Sequence, residues 1–171
     1  MLYTSTTSNH PITIVGSGLV GTLLALMLAR QNLSIRLIDP VSIADHLNQP
    51  SDGRAISITL GSKEVLDHLD LWRVLEPHAA PLTRVTTVDG QGTQMHLNTD
   101  DLKHSPLGYM VDAKILKDTL LRHVFRAPNI EYITDKVLSA AYAAPFDHAI
   151  NLNLEHEKAL TTSLLIGADG A

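Results

Sequence analysis

A chain of 171 residues with 44% hydrophobic and 18% charged residues has the proportions of one folded domain with a real core. A net charge of −5 without any Lys/Arg run excludes a nucleic-acid partner, because neutralising phosphates needs clustered cations. With no cysteine there is no disulfide, thiolate metal centre or thiol nucleophile, so redox chemistry would belong to a bound cofactor.

Residues 1–11 are polar and rich in Ser and Thr, without the basic-then-apolar layout of an export signal, which predicts a cytoplasmic protein. The most apolar stretch, Leu19 to Ala29, falls well short of the ~20 residues that cross a bilayer. Ile12-Thr13-Ile14-Val15 reads as a β-branched strand running into a glycine cluster, and Leu19 to about Gln31 as a helix. Leucines lie on nearly all sides of that helix, so it is expected to be covered on more than one face. A second strand, Ser34 to Ile38, closes a βαβ unit.

Val41 to Asp52 reads as a polar surface loop ending in the turn cluster Pro50-Ser51-Asp52-Gly53. Helix is expected again from near Ser62 until Pro77. Arg84–Val88 and Gln94–Leu97 flank an Asp89-Gly90 step and predict a hairpin, an insertion covering about 82–107. Asp112 is placed to cap an amphipathic helix whose apolar side carries Leu116, Leu120, Leu121 and Val124 and which ends before Pro128. Strand-like runs follow at 130–134, 136–143, 149–154 and 160–166. The last three form a meander that leads to Gly167-Ala168-Asp169-Gly170. The expected fold is α/β and Rossmann-like: a parallel sheet opened by the βαβ unit, a three-stranded antiparallel meander and a small hairpin insertion.

Gly16-Ser17-Gly18-Leu19-Val20-Gly21 fits the G-x-G-x-x-G pattern between a strand and a helix, the context in which that pattern binds a dinucleotide. Gly16 makes the turn, Gly18 admits a pyrophosphate, and Gly21 allows close packing, while Leu19 and Val20 open the helix whose N-terminal amides face the phosphates. Asp39, about 20 residues on, is placed for the adenosine ribose hydroxyls. The competing reading is a plain glycine turn with Asp39 capping a loop. The pattern alone does not separate NAD from FAD, which share the ADP half.

Two further stretches carry a resemblance. Asp52-Gly53-Arg54-Ala55-Ile56-Ser57 and Gly167-Ala168-Asp169-Gly170, with Leu107 to Asp112 between them, resemble the flavoprotein monooxygenases similar to para-hydroxybenzoate hydroxylase. In wording they are closest to the ubiquinone-biosynthesis hydroxylases, leaning to the 2-octaprenyl-6-methoxyphenol hydroxylase branch. The resemblance implies FAD as cofactor, held by Gly16, Gly18, Leu19, Val20, Gly21, Asp39, Arg54, Asp169 and Gly170. It also implies NAD(P)H as co-substrate, O₂, a polyprenyl-phenol substrate, and peripheral association with the inner membrane or a biosynthetic complex. Arg54 offers a charged fork to phosphate or flavin oxygens, with a solvated loop arginine as its plain alternative. Asp169 is placed for ribityl hydroxyls, with a turn aspartate as its alternative.

Where the family often has Glu-Asn-Arg, this chain has Asp112-Ala113-Lys114, and Lys114 reads as a surface lysine. The family's later Gly-Asp fingerprint and its substrate-binding sheet lie beyond Ala171. The 171-residue chain is therefore expected to retain little flavin, to be inactive alone and to self-associate. A reductase or halogenase sharing the FAD half, and a noncatalytic nucleotide-binding module, are the other readings. The nine histidines match no zinc spacing and read as surface residues, and no G-x-S-x-G elbow is present.

Overall fold

A computed structural model describes residues 10–102, 106–143 and 149–170. Outside these lie residues 1–9 of the polar arm, residues 103–105 of the expected insertion, and two of the histidines, His104 and His148. In chain order the elements are β1 (Ile12–Val15), α1 (Leu19–Ala29), β2 (Ile35–Asp39), α2 (Ile43–Asn48), β3 (Ala55–Thr59), α3 (Leu60–His68) and α4 (Trp72–Leu75). A 3-10 turn at Glu76–His78 leads to β4 (Ala79–Leu82), β5 (Arg84–Val88) and β6 (Gln94–Asn98). After a second 3-10 turn at Thr99–Leu102 come β7 (Gly108–Asp112) and α5 (Ala113–Arg126). The chain closes with β8 (Ile130–Thr134), β9 (Val137–Tyr142), β10 (Ile150–Leu154), β11 (Leu160–Thr162) and β12 (Leu164–Gly167). It divides into two units, Met1–Gln49 with Leu120–Ala171, and Pro50–Thr119.

The first unit is built on a parallel sheet in the order β12-β1-β2-β8. Strands packed on both faces need apolar side chains on both, and Ile12, Ile14 and Val15 of β1 and Ile35, Leu37 and Ile38 of β2 supply them. Ile14, Ile35 and Leu37 pack against Ala25 and Ala29 of α1 and Val124 of α5, while Ile38 packs on the other side against Leu152 and Leu154 of the meander β9-β10-β11. Arg36 ties the layers: its Nε donates to Glu131 at 2.9 Å and an Nη to the Thr161 carbonyl at 3.3 Å.

The details of this unit refine one expectation and change two. The helix α1 is buried most deeply by its small residues: Gly21, Thr22, Ala25 and Ala29 face the sheet, the leucines expected to be covered are half-buried, and Val20 and Met27 are exposed. Small residues let the helix lie close to the strands, which a leucine stripe would prevent. Residues 41–52 are not all loop, because Ser42 accepts the Asp45 amide and starts α2. The run 160–166 is two strands in two sheets, parted at Ser163, with β11 completing the meander and β12 joining β1.

In the second unit β3, β7 and β4 form an antiparallel sheet in the order β3-β7-β4. Pro81 is tolerated because β4 is an edge strand. The helix expected to reach Pro77 is instead broken at Asp70, whose φ of 60° ends α3 before α4 begins. Leu66, Leu71, Trp72 and Leu75 are buried, and the Trp72 and Tyr109 rings pack at 4.8 Å. The predicted hairpin is present as β5–β6. Its left-handed glycine is Gly92, not Gly90, because Asp89 Oδ1 accepts the amides of Gln91 and Thr93 and so shapes a longer loop.

Candidate functional site

The glycine turn sits at the carboxyl edge of the parallel sheet, where β12 and β2 flank β1 on opposite sides. This is the strand-order reversal at which open α/β sheets bind ligands. Because Val15 pairs with Gly167, the chain leaves both strands side by side, and Ala168 N donates to the Val15 carbonyl at 2.7 Å. Gly16 turns with φ 103°, and a Cβ there would lie 2.4 Å from the Ala168 oxygen and 2.7 Å from Asp169 Cα. A Cβ on Gly21 would lie 2.0 Å from the Gly16 oxygen. Both positions therefore require glycine for packing.

Gly18 differs: nothing lies within 4 Å of where its Cβ would be, and it is the N-cap of α1 without a side-chain cap. The first helical bond runs from Thr22 N to the Gly18 carbonyl, so the amides of Leu19, Val20 and Gly21 precede the ladder. An open approach, uncapped amides and the positive end of the helix dipole suit a pyrophosphate, and these residues fit the ADP half of a dinucleotide. Asp169 is exposed beside Gly16, and Gly170 follows with φ 79°.

Asp39 ends β2 and reaches back to the turn. Its Oδ2 accepts the Ser17 amide at 2.7 Å, and its Oδ1 accepts the Val41 amide at 2.9 Å and lies 3.2 Å from His46 Nε2. Burial pushes its carboxyl up, but the Ser17 and Val41 amides, aided by the His46 side chain, outweigh burial and hold it below the ordinary value. An ionised carboxylate oxygen carries two lone pairs, so Oδ2 retains acceptor capacity beyond Ser17.

One histidine behaves differently from its sequence reading. His46 is not a surface histidine: it is 7% exposed on α2, against Ser17 and Asp39. Lys114, read as a surface lysine, pairs its Nζ with Asp118 one helical turn on at 2.5 Å. Arg54 belongs to the second unit, in the exposed segment before β3. Its Nε donates to Asp52 Oδ2 at 2.6 Å, and its carbonyl accepts the Ala113 amide. Sequence reasoning missed Ser17, His46 and Tyr132, whose Oη lies 3.0 Å from Ser17 Oγ. The Ser42-x-x-Asp45 capping pattern is the signal that would have put His46 on a helix. Among the described residues no cluster of His, Asp and Glu is arranged for a metal, and no helix is long and apolar enough to cross a membrane.

The turn, the strand reversal and the uncapped helix define a dinucleotide-binding α/β domain. Residues 9–171 match the FAD binding domain family, and the chain belongs to it. The chain is 30% identical over 160 residues to ubiquinone hydroxylase UbiL of Rhodospirillum rubrum, covering 93% of this chain and 37% of that protein. It is 30% identical over 169 residues to 3-demethoxyubiquinol 3-hydroxylase of Escherichia coli, covering 96% of this chain and 42% of that one. Among solved structures, p-nitrophenol 4-monooxygenase PnpA of Pseudomonas putida superposes with a TM-score of 0.71 at 18% identity, over 95% of this chain and 41% of that one, a likeness of fold. The chain thus spans about two fifths of the length of these relatives.

Proposed function

We propose that this chain supplies the FAD-holding part of a flavoprotein monooxygenase that hydroxylates a polyprenyl-phenol ring with NAD(P)H and O₂. The observation that carries the reading is the glycine turn closed against Ala168 and Asp169 at the strand reversal, with Gly18 open to a phosphate. The substrate class rests on the two ubiquinone-pathway relatives. When bound, FAD supplies the reduction and oxygen-transfer chemistry. The residues of this chain bind and orient it. The amides of Leu19, Val20 and Gly21 face the pyrophosphate, and Asp39 Oδ2 accepts a ribose hydroxyl. Asp169, next to Gly16, accepts ribityl hydroxyls, and Gly170 lets them approach.

These contacts favour the adenine half of the cofactor. Equilibrium dialysis of the purified chain against FAD, ADP and riboflavin tests that. ADP should compete with FAD and riboflavin should not, while little flavin co-purifies because only part of the ligand's contacts are present. Binding of riboflavin without ADP, or of neither, would overturn the reading.

A further inference from the structure

Beneath the glycine turn lies a buried set of polar side chains that dinucleotide binding does not itself require. Ser17, between Gly16 and Gly18, is fully buried, with its Oγ 3.1 Å from His46 Nε2 and 3.0 Å from Tyr132 Oη. The same His46 nitrogen lies 3.2 Å from Asp39 Oδ1, while Asp39 Oδ2 holds the Ser17 amide. The middle residue of the turn is thus fastened to β2 by its backbone and to α2 and β8 by its side chain.

The distances fix the protons. Tyr132 Oη lies 2.6 Å from the Val41 carbonyl, which only accepts, so the phenol proton is committed there. The Tyr132 oxygen then accepts from Ser17, which uses the single proton of that hydroxyl. Ser17 Oγ and the Asp39 carboxylate both face His46 Nε2 as acceptors, so Nε2 carries a proton shared between them. One nitrogen serves both partners, unlike a hydrolytic relay, which uses the two ring nitrogens separately.

We propose that His46 is a positioning residue for the nucleotide site: its Nε2–H holds Ser17 Oγ and the Asp39 carboxylate in the arrangement that keeps the turn open to a phosphate. This rests on the adenine-nucleotide reading above. Without that proton donor Asp39 Oδ1 keeps only the Val41 amide and Ser17 Oγ only Tyr132, and Ser17 is held less firmly one residue before the N-cap of α1. Its hydroxyl oxygen can then accept from the first-turn amides and compete with a phosphate for them.

The test is an ADP titration of the whole chain followed by NMR, using wild type, His46→Ala, His46→Gln and Tyr132→Phe at a temperature where circular dichroism shows each folded. Folded His46→Ala should bind ADP about tenfold more weakly, and His46→Gln, whose amide restores a donor, should recover most of the loss. Tyr132→Phe, which frees the Ser17 proton with little change of shape, should bind about threefold more weakly and decides the matter if His46→Ala does not fold. The wild-type imidazole ¹⁵N spectrum should show the proton on Nε2. Wild-type affinity in folded His46→Ala, or in Tyr132→Phe where His46→Ala is unfolded, overturns the inference and leaves the nucleotide reading standing. A proton on Nδ1 alone has the same force. Failure of the wild type to bind ADP removes the reading and the inference together.

Discussion

Gly16, Gly18 and Gly21 share one motif and answer to different constraints. Gly16 needs a backbone that side chains rarely adopt and sits against the Ala168 carbonyl, so Gly16→Ala should lower unfolding stability by at least about 2 kcal/mol in urea titration. Gly18 has an ordinary φ of −65° and open space at its Cβ, so Gly18→Ala should leave stability within about 0.5 kcal/mol. The same methyl projects where a phosphate would approach, so ADP binding should fall in a variant that melts like wild type. Asp135 gives a different kind of signature. Its carboxylate is covered by the meander and takes the amides of Lys136, His156 and Glu157 as well as the His156 ring. Burial pushes its carboxyl up, but those hydrogen bonds dominate and hold it at about 2, below the ordinary 3.8. A depressed folded value means the contribution is complete above about pH 4 and is lost as the pH falls toward 2. Asp135→Asn should therefore lack that part of the acid limb in a stability-against-pH curve. The placement of the glycines and Asp39 at one turn was legible because a motif of fixed spacing carries them, and that of Asp169 through the family resemblance of its segment. Ser17, His46 and Tyr132 were not, since their meeting spans separations of 29 and 115 residues that no local pattern encodes.

Elements with strong periodicity or a known turn were readable: β1, α1, β2, the β5–β6 hairpin, α5 and the meander follow from β-branched runs, a helical stripe or an Asp-Gly step. The sheet β3-β7-β4 was not, because each strand is short and finds its partner far along the chain. Ala55 to Thr59 does alternate, with Ile56 and Ile58 turned inward, but one five-residue alternation is weak evidence beside a turn cluster. The helix α2 escaped because it is only six residues long and half of them are polar, and what makes it a helix is the cap. Ser42 Oγ accepts the Asp45 amide at 3.1 Å and donates to the Asp45 carboxylate at 2.6 Å. Ser42→Ala should lower stability by about 1 kcal/mol in thermal or urea unfolding. Because α2 carries His46, the same change should speed exchange of the Ser17 amide; exchange at the wild-type rate would show that α2 and the turn are not coupled.

At the scale of the molecule, the first unit is discontinuous, with Pro50–Thr119 placed between its two segments. Strands β1 and β2 are neighbours in sequence, yet their outer partners β12 and β8 come only from the second segment. A chain ending at residue 119 keeps the glycine motif and loses both flanking strands, leaving a two-stranded parallel ribbon with bare edges. It should show no cooperative melting of the first unit, as followed by circular dichroism, and should not bind ADP. The α/β class was readable from the order of elements, whereas the division of the chain was not, because it depends on which distant strands pair.

The contact between Gly16 and Ala168 has a consequence during synthesis. At roughly 5–20 residues per second, about 150 residues of further translation separate the appearance of these two positions, an interval of about 8–30 s. Throughout it the nascent chain displays a fingerprint with no wall behind it. The glycine turn is encoded long before the segment that closes it, so on the ribosome β1 and α1 wait with apolar surface uncovered, a natural client for a chaperone acting during translation.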